Sequence, residues 1–241
     1  MFVKGVRYLF KGFSLIRTPG LRRFVVLPLL INILLFGAAF WGGGIYIDNM
    51  IEAFIPDGWD WLRWIIWPIA ALLSLATLFY TFTLFANLIG SPFNGILSEK
   101  IDQLLRGEPL TDTTPFSVKL ILEAVRGELS KWLYYLGWII VLLIVSAILF
   151  FIPLVNILIP FIWATFGAWM MTVEYNDFPL GNRRLAPRRQ RQWLRANRSL
   201  VLGFGAATLL ATMIPILNLA VMPAAVAGAT ALIFDHYSET P

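Results

Sequence analysis

The first candidate site is the run Thr18-Pro19-Gly20-Leu21-Arg22-Arg23-Phe24, which stands immediately before the first long apolar segment. Thr18 is a favoured N-cap and Pro19 suits the first helical position, so the sequence predicts that a helix begins here. The next backbone amides would then have no acceptor, and two arginines follow them directly. Free amides, the positive end of a helix and guanidinium groups together suit a tetrahedral oxyanion. The alternative is that both arginines only flank a membrane span as topology signals.

Residues that carry enzyme or metal chemistry are nearly missing from the sequence. The chain has no cysteine and a single histidine, His236, which excludes disulfides and thiolate centres and argues against a histidine-rich metal site. It also lacks the G-x-x-x-x-G-K-[ST] phosphate loop, an HExxH motif and a Ser/His/Asp or Cys/His set. We therefore expect no catalytic residue, no metal site and no cofactor, and a protein that is not an enzyme.

The composition indicates an integral membrane protein. Of the 241 residues, 59% are hydrophobic and only 14% are charged, whereas about a quarter of a soluble domain is charged. The net charge of +5 would suit nucleic acid, but in so apolar a chain the basic residues are expected to face lipid headgroups. The lipid bilayer is thus an expected partner, and nucleic acid is not.

The elements that would position the first site are an amphipathic helix and two spans. Residues 2–16 have a basic and an apolar face, which is typical of a helix in the membrane interface. Residues 24–47 are long enough to cross a bilayer, and 62–89 return across it. The loop between the spans is acidic and rich in tryptophan. Because nearly all lysines and arginines lie on the other side, both termini are expected in the cytoplasm.

The stretch 90–131 is less apolar and predicts two amphipathic cytoplasmic helices, at about 92–106 and 115–131. Gly107 is a suitable residue to end the first, and Thr114-Pro115 to begin the second. A basic cytoplasmic segment follows later, since seven of the sixteen residues from Arg183 to Arg198 are arginine.

The C-terminal half contains an internal repeat. Residues 152–160 and 214–223 each hold an asparagine between two prolines, and each separates two uncharged apolar arms. The arms, the last of them at 224–234, are about 20 Å long as helices, against roughly 30 Å of hydrocarbon. They predict two hairpins that enter from the cytoplasm, turn near mid-membrane and leave again. The alternative is four ordinary short spans with polar turns in the periplasm.

The hairpin turns place Asn156 and Asn218 at membrane depth. Their amides cost several kcal/mol when unpaired in hydrocarbon, and two half-depth hairpins in one small chain cannot bury them well. We therefore predict a homo-oligomer in which the turns pack together or line an aqueous path, with Asn156 and Asn218 as pore-lining candidates.

The expected fold class is an all-α integral membrane protein with two long transmembrane helices, two half-penetrating helical hairpins and amphipathic interfacial helices. It forms one membrane domain over 1–241. Its expected segments are an interfacial helix with the anion loop (1–23), two spanning helices (24–89), cytoplasmic helices (90–131), the first hairpin (132–175), the basic segment (176–198) and the second hairpin (199–241).

Four motifs occur in order over nearly the whole chain: Pro19 to Arg23; Ser91-Pro92-Phe93-Asn94 with Glu99-Lys100; Glu174 to Pro179; and Pro215 with Asn218, followed by Pro223 and Ala225 to Thr230. Together they resemble the motifs of the CysZ sulfate permeases. The resemblance implies a bacterial inner-membrane protein that admits sulfate for cysteine biosynthesis. It also implies an oligomer with two long transmembrane helices and half-penetrating hairpins.

The resemblance further implies site residues. The family's sulfate-binding Gly-Leu-Arg-Arg loop falls on Gly20, Leu21, Arg22 and Arg23, which favours anion binding over the topological interpretation. Residues that would line the route map to Asn94, Glu99 and Arg106. The expected function is sulfate uptake by a channel or permease, with proton coupling open. The alternative is a membrane-organising or partner-binding protein that uses its basic cytoplasmic segment.

Overall fold

The computed structural model describes the backbone of residues 1–23, 60–110 and 118–237, together with 25–27, 30, 33–34, 37–38 and 41–45. Within these ranges it does not describe the side chains at 60, 62–63, 75, 78–92, 118–121, 123–124, 215–216 and 219. Most of the predicted acidic loop and the predicted helix start at Thr114-Pro115 lie outside the described residues.

The regular elements in the described residues are all helical. They are α1 (Phe2–Leu15), α2 (Asp60–Arg106), α3 (Val118–Phe150), α4 (Ile159–Asn182), α5 (Pro187–Ala196), α6 (Arg198–Thr212) and α7 (Pro215–His236). A short 3₁₀ turn, Val155–Leu158, precedes α4. The described residues between 22 and 45 are also helical. The all-α prediction is confirmed for this part of the chain.

The chain divides into two compact units. One consists of Met1–Val25 and Ser91–Pro241, and the other of Val26–Gly90. The second unit contains the described helical residues from 26 to 45 and the first part of α2. The first unit contains the candidate anion loop, both hairpins and the basic segment.

The described residues of the helices predicted at about 92–106 and 115–131 are helical, but neither forms a separate helix. Residues 92–106 form the end of α2, and the described residues from 118 to 131 form the beginning of α3. The sequence suggested boundaries because the polarity changes, and a change of polarity alters the surroundings of a helix without interrupting its backbone. The predicted end at Gly107 is confirmed. Gly107 has φ +73°, and the amides of Gly107 and Glu108 donate to Leu104 O (3.1 Å) and Gln103 O (2.9 Å), which is a Schellman motif.

Helix α1 packs against protein. Its apolar side lies on α6 and α7, and Leu9 is buried there. Glycines make the close approach possible, because a Cβ at Gly12 would overlap Ala224 O and one at Gly228 would overlap Tyr8 O. Part of the face that the sequence assigned to lipid is therefore covered by α6 and α7, whereas Phe2 and Phe10 remain exposed.

The close contact at Gly12 predicts that alanine at this position destabilises the protein. Alanine is the better helix former, yet Gly12→Ala should lower the free energy of unfolding by about 1–3 kcal/mol, because the methyl group has no room beside Ala224. Gly137→Ala in α3 is the matched control, since nothing lies within 4 Å of its added methyl group. Unfolding in detergent followed by tryptophan fluorescence measures both. Equal stability of the two variants would contradict the described packing of α1.

The two hairpins have different turns. The first, between α3 and α4, includes Leu154 at φ 67° and the 3₁₀ turn. The second is shorter, because α6 ends at Thr212 and α7 already begins at Pro215. The expected start of that arm at 224 is therefore wrong. Pro223 lies inside α7, where complete burial of Val221 and Ala224 supports the helix around the lost hydrogen bond.

Two helical segments in the described residues are long and apolar enough to cross a membrane, Val125–Phe150 and Val155–Asn182. Helix α3 also exposes large apolar side chains along its length, such as Leu133 (64%) and Ile144 (56%). An apolar surface of this kind requires lipid or protein against it. The long apolar helices and their exposed apolar side chains therefore agree with the prediction of a membrane protein. The depth to which each hairpin enters the membrane stays a prediction.

Candidate anion-binding site

The candidate anion loop, residues 16–23, begins where α1 ends. The amide of Leu21 donates to Thr18 O (3.1 Å) and Gly20 has φ +90°, so residues 18–21 have the features of a type II β-turn with Pro19 at its second position. Helical residues resume only at Arg22. The predicted helix start at Thr18 and Pro19 is therefore wrong. A glycine with positive φ cannot continue a helix, and Pro-Gly is the preferred centre of this turn.

The turn changes which groups are available to an anion. The Leu21 amide is used within the turn, and its side chain is fully buried in the core, so Leu21 anchors the loop. The Gly20 amide has no backbone acceptor among the described residues. A Cβ on Gly20 would stand 3.2 Å from Leu110 Cδ1, so the loop lies beside the segment that follows α2.

Arg22 and Arg23 of the loop are both exposed. Arg22 Nε donates to Arg17 O (2.9 Å), which holds the guanidinium group across the turn. Because only one of its five N–H groups is used in this bond, the terminal nitrogens of Arg22 can still form paired hydrogen bonds with an oxyanion. Arg23 follows directly and Arg17 precedes the turn, so the loop concentrates three positive charges.

The route candidates Asn94, Glu99 and Arg106 lie along the last part of α2. Asn94 and Glu99 are partly buried, and Arg106 is exposed. Arg106 Nε donates to Asp102 Oδ2 (2.6 Å), and Arg183 Nη2 donates to Asp102 Oδ1 (3.1 Å). Asp102 therefore joins the end of α2 to the beginning of the basic segment, a connection that the sequence did not suggest.

The two asparagines of the repeat lie at the hairpin turns. Asn156 is in the 3₁₀ turn, whereas Asn218 is in the first turn of α7, because the repeats fold differently. Both side chains are exposed. The structure does not bring Asn156 or Asn218 into the candidate anion loop, and their role at a pore stays a prediction.

A buried lysine, Lys131, is surrounded by three carboxylates, an arrangement that the sequence did not indicate. The Lys131 side chain is only 5% exposed, and its Nζ lies 2.8 Å from Glu128 Oε1, 3.1 Å from Glu174 Oε1 and 3.3 Å from Asp177 Oδ2. Tyr135 also donates to Glu174 Oε2 (3.2 Å). The cluster fixes α3 against α4 at the open end of the first hairpin. The i,i+3 pair Glu128–Lys131 was the available signal, although it is equally typical of a solvated helix face.

A second basic surface lies between α1 and the end of α7. Tyr8 Oη and Lys11 Nζ both donate to Asp235 Oδ2 at 2.9 Å. They line a cavity of about 380 Å³ that also includes Lys4, Arg7 and His236. Partial burial, and then the neighbouring Asp235 carboxylate, raise the pKa of Tyr8. An ordinary tyrosine is already protonated at physiological pH, and the raised pKa favours the same donor state, in which Tyr8 joins α1 to α7.

Known proteins resemble this chain over nearly its whole length. The family described as sulfate transporter CysZ/etoposide-induced protein 2.4 matches residues 8–223. The protein named sulfate transporter CysZ from Pseudomonas aeruginosa (strain LESB58) is 42% identical over 236 residues, which cover 95% of this chain and 93% of the relative. The protein of the same name from Pectobacterium atrosepticum is 41% identical, covering 97% and 85%. The resemblance is confirmed, and the chain belongs to the sulfate transporter CysZ/etoposide-induced protein 2.4 family.

Proposed function

We propose that this chain admits sulfate across the bacterial inner membrane for cysteine biosynthesis, as a channel or permease and not as an enzyme. Relatives that bear the name sulfate transporter CysZ and cover nearly the whole chain support this substrate. The observation that carries the proposal is the exposed pair Arg22 and Arg23 directly after a glycine turn, at the start of an apolar helix.

Sulfate is captured in the proposed site by charge and shape. It is a tetrahedral dianion that accepts hydrogen bonds at four oxygens, and Arg22 offers a guanidinium edge already fixed by its bond to Arg17. Gly20 lets the anion approach the backbone, because it has no side chain. A site of this kind distinguishes charge and geometry, so selenate and thiosulfate should compete with sulfate.

Inward movement of a dianion is opposed by the membrane potential. Against 100 mV it costs about 4.6 kcal/mol, twice the value for one charge. Uncoupled flow would then need an inward sulfate gradient of roughly a thousandfold or more. The transporter therefore depends either on metabolism that keeps internal sulfate very low or on protons that accompany the anion.

A homo-oligomer with cytoplasmic termini completes the proposal. The exposed apolar length of α3 and the exposed amides of Asn156 and Asn218 both favour further protein around each chain. In this arrangement sulfate leaves the loop at Gly20–Arg23 and passes Asn94, Glu99 and Arg106.

Uptake of radiolabelled sulfate by cells that lack their own sulfate uptake tests the function. Expression of this chain should restore uptake, and excess selenate should reduce it. If uptake is not restored although the protein is present in the membrane, the proposal fails. The alternative of a partner-binding protein would instead show dependence on residues 183–198 without any anion flux.

Sulfate flux into liposomes distinguishes proton-coupled transport from passive entry. If protons accompany sulfate, a proton gradient should accelerate uptake by liposomes that contain the protein, and a pH dye inside them should report acidification. Protein-free liposomes are the control. Sulfate flux that neither acidifies the interior nor responds to the gradient would exclude proton coupling and leave passive entry.

A further inference from the structure

A large groove lies along the first hairpin, away from the candidate anion loop. Its volume is about 730 Å³, within the range of roughly 300–1,000 Å³ that is usual for ligand pockets. Its walls are apolar and aromatic, including Trp138 and Leu142 of α3 and Phe161 and Phe166 of α4. Two arginines, Arg195 and Arg198, line the same groove.

The arginines lie at one end of the groove. Arg198 begins α6, and the Thr172 hydroxyl donates to Val201 O (2.7 Å), so this end of α6 lies beside the middle of α4 and away from the hairpin turn. Trp169 Nε1 also donates to the Tyr134 hydroxyl (3.0 Å), and both residues line the groove. The groove therefore has an apolar end near the turn and a polar, cationic end near Trp169.

Positive charge is concentrated at this end of the groove. The Arg191 guanidinium group lies 4.8 Å from the centre of the Tyr134 ring, so three arginines, Arg191, Arg195 and Arg198, are grouped here. In the described part of the chain, none of them forms an ion pair with an acidic residue. Arginine binds phosphate with paired hydrogen bonds, which suits an anionic phosphate ligand.

The length of the groove fits a lipid chain. From Phe161 to Trp169, α4 rises by about 12 Å. Half of the hydrocarbon core of a bilayer is roughly 15 Å thick, so one leaflet of lipid covers nearly the same depth. A hairpin that turns near mid-membrane, as the sequence predicts, would place the aromatic side chains and arginines at the cationic end of the groove at the level of lipid headgroups.

We propose that this groove is a binding site for an anionic phospholipid. The phosphate is held by Arg195 and Arg198, with Arg191 beside it, and one acyl chain lies along α3 and α4 past Trp138 and Phe161. The site is separate from the candidate anion loop and does not depend on sulfate transport. The lipid would seal the apolar face of the first hairpin and join it to the basic segment.

Native mass spectrometry of the full-length protein tests the proposal. Phosphatidylglycerol and phosphatidylcholine with identical acyl chains are added in turn to protein purified in detergent. The wild type should retain phosphatidylglycerol at least tenfold more tightly than phosphatidylcholine. Arg195→Gln with Arg198→Gln should remove that preference. Arg188→Gln with Arg189→Gln is the matched control, because both residues are exposed on α5 and neither lines the groove.

A second variant tests the apolar part of the groove without changing charge. Leu142→Trp should weaken retention of both lipids, because the larger ring fills the path of the acyl chain. Equal retention of the two lipids by the wild type, or an equal loss in the Arg188/Arg189 control, would overturn the proposal. Efficient disulfide formation between two copies carrying Thr165→Cys would also overturn it, because the groove would then be covered by a second chain.

Discussion

Replacement of Arg22 and Arg23 together by alanine should lower sulfate affinity at least a hundredfold. Each arginine can donate charge-assisted hydrogen bonds to the anion, and hydrogen bonds to charged groups contribute about 1.5–3 kcal/mol each. Two such losses amount to roughly 3–6 kcal/mol, and each 1.4 kcal/mol is a tenfold change in affinity. Titration of the purified protein with sulfate in a calorimeter measures the change.

The matched control for this experiment is Arg188→Ala with Arg189→Ala. These residues are also adjacent and exposed, and their replacement lowers the net charge by the same amount. It should leave sulfate affinity within about twofold of wild type, because the pair lies on α5 and not at the Gly20 turn. If the two double variants lose affinity equally, Arg22 and Arg23 contribute only general positive charge, and the topological interpretation returns.

Replacement of Lys131 by methionine should cause a large loss of stability. The change leaves Glu128, Glu174 and Asp177 facing one another without their shared cation. Breaking a buried ion pair on one side costs about 3–5 kcal/mol. Lys11→Met is the control, because the Lys11 side chain is 41% exposed and its pair with Asp235 should contribute about 0–1 kcal/mol.

A rescue variant separates charge from packing in the Lys131 cluster. If repulsion among the carboxylates causes the loss, then Glu174→Gln with Asp177→Asn should recover much of the stability of Lys131→Met. Chemical unfolding in mixed detergent micelles measures the stability of the wild type, Lys131→Met, Lys11→Met and the rescue variant. A loss in Lys131→Met no larger than that in Lys11→Met would show that the cluster does not hold α3 against α4.

The sequence predicted those features of the fold that depend on interactions between residues close together in the chain. The apolar and basic faces of α1 and the end of α2 at Gly107 follow from helical periodicity and from the positive φ that glycine tolerates. The packing of α1 could not be predicted in the same way. It depends on Gly12 and Gly228, which are far apart in the chain and meet neighbouring backbones only in the folded protein.

The candidate loop shows how one motif can satisfy two rules. Proline after threonine suits both the first position of a helix and the second position of a type II turn. Gly20 decides between them, since φ +90° excludes the helix and moves its start to Arg22. The sequence alone therefore proposed binding residues from their chemistry, but it assigned the wrong backbone conformation to them.

The Lys131 cluster was beyond sequence reasoning for a different reason. Lys131 and Glu174 are 43 positions apart, and they meet only because the first hairpin sets α3 and α4 in one particular register. The 3₁₀ turn of this hairpin contributes to that register, and no local sequence signal specifies the length of the turn. The apolar arms predicted that a hairpin forms, whereas the contact between its charged ends required the structure.

The most direct test of the central claim is the position of a bound sulfate analogue. Selenate replaces sulfate in shape and charge, and its selenium atom can be located by anomalous X-ray scattering in a crystal of the protein. We expect a selenium peak at the Gly20 turn, with selenate oxygens about 3 Å from the Gly20 amide and the Arg22 guanidinium group. A peak only in the Lys4–Lys11 cavity or beside Arg195 and Arg198, with none at the turn, would contradict the account.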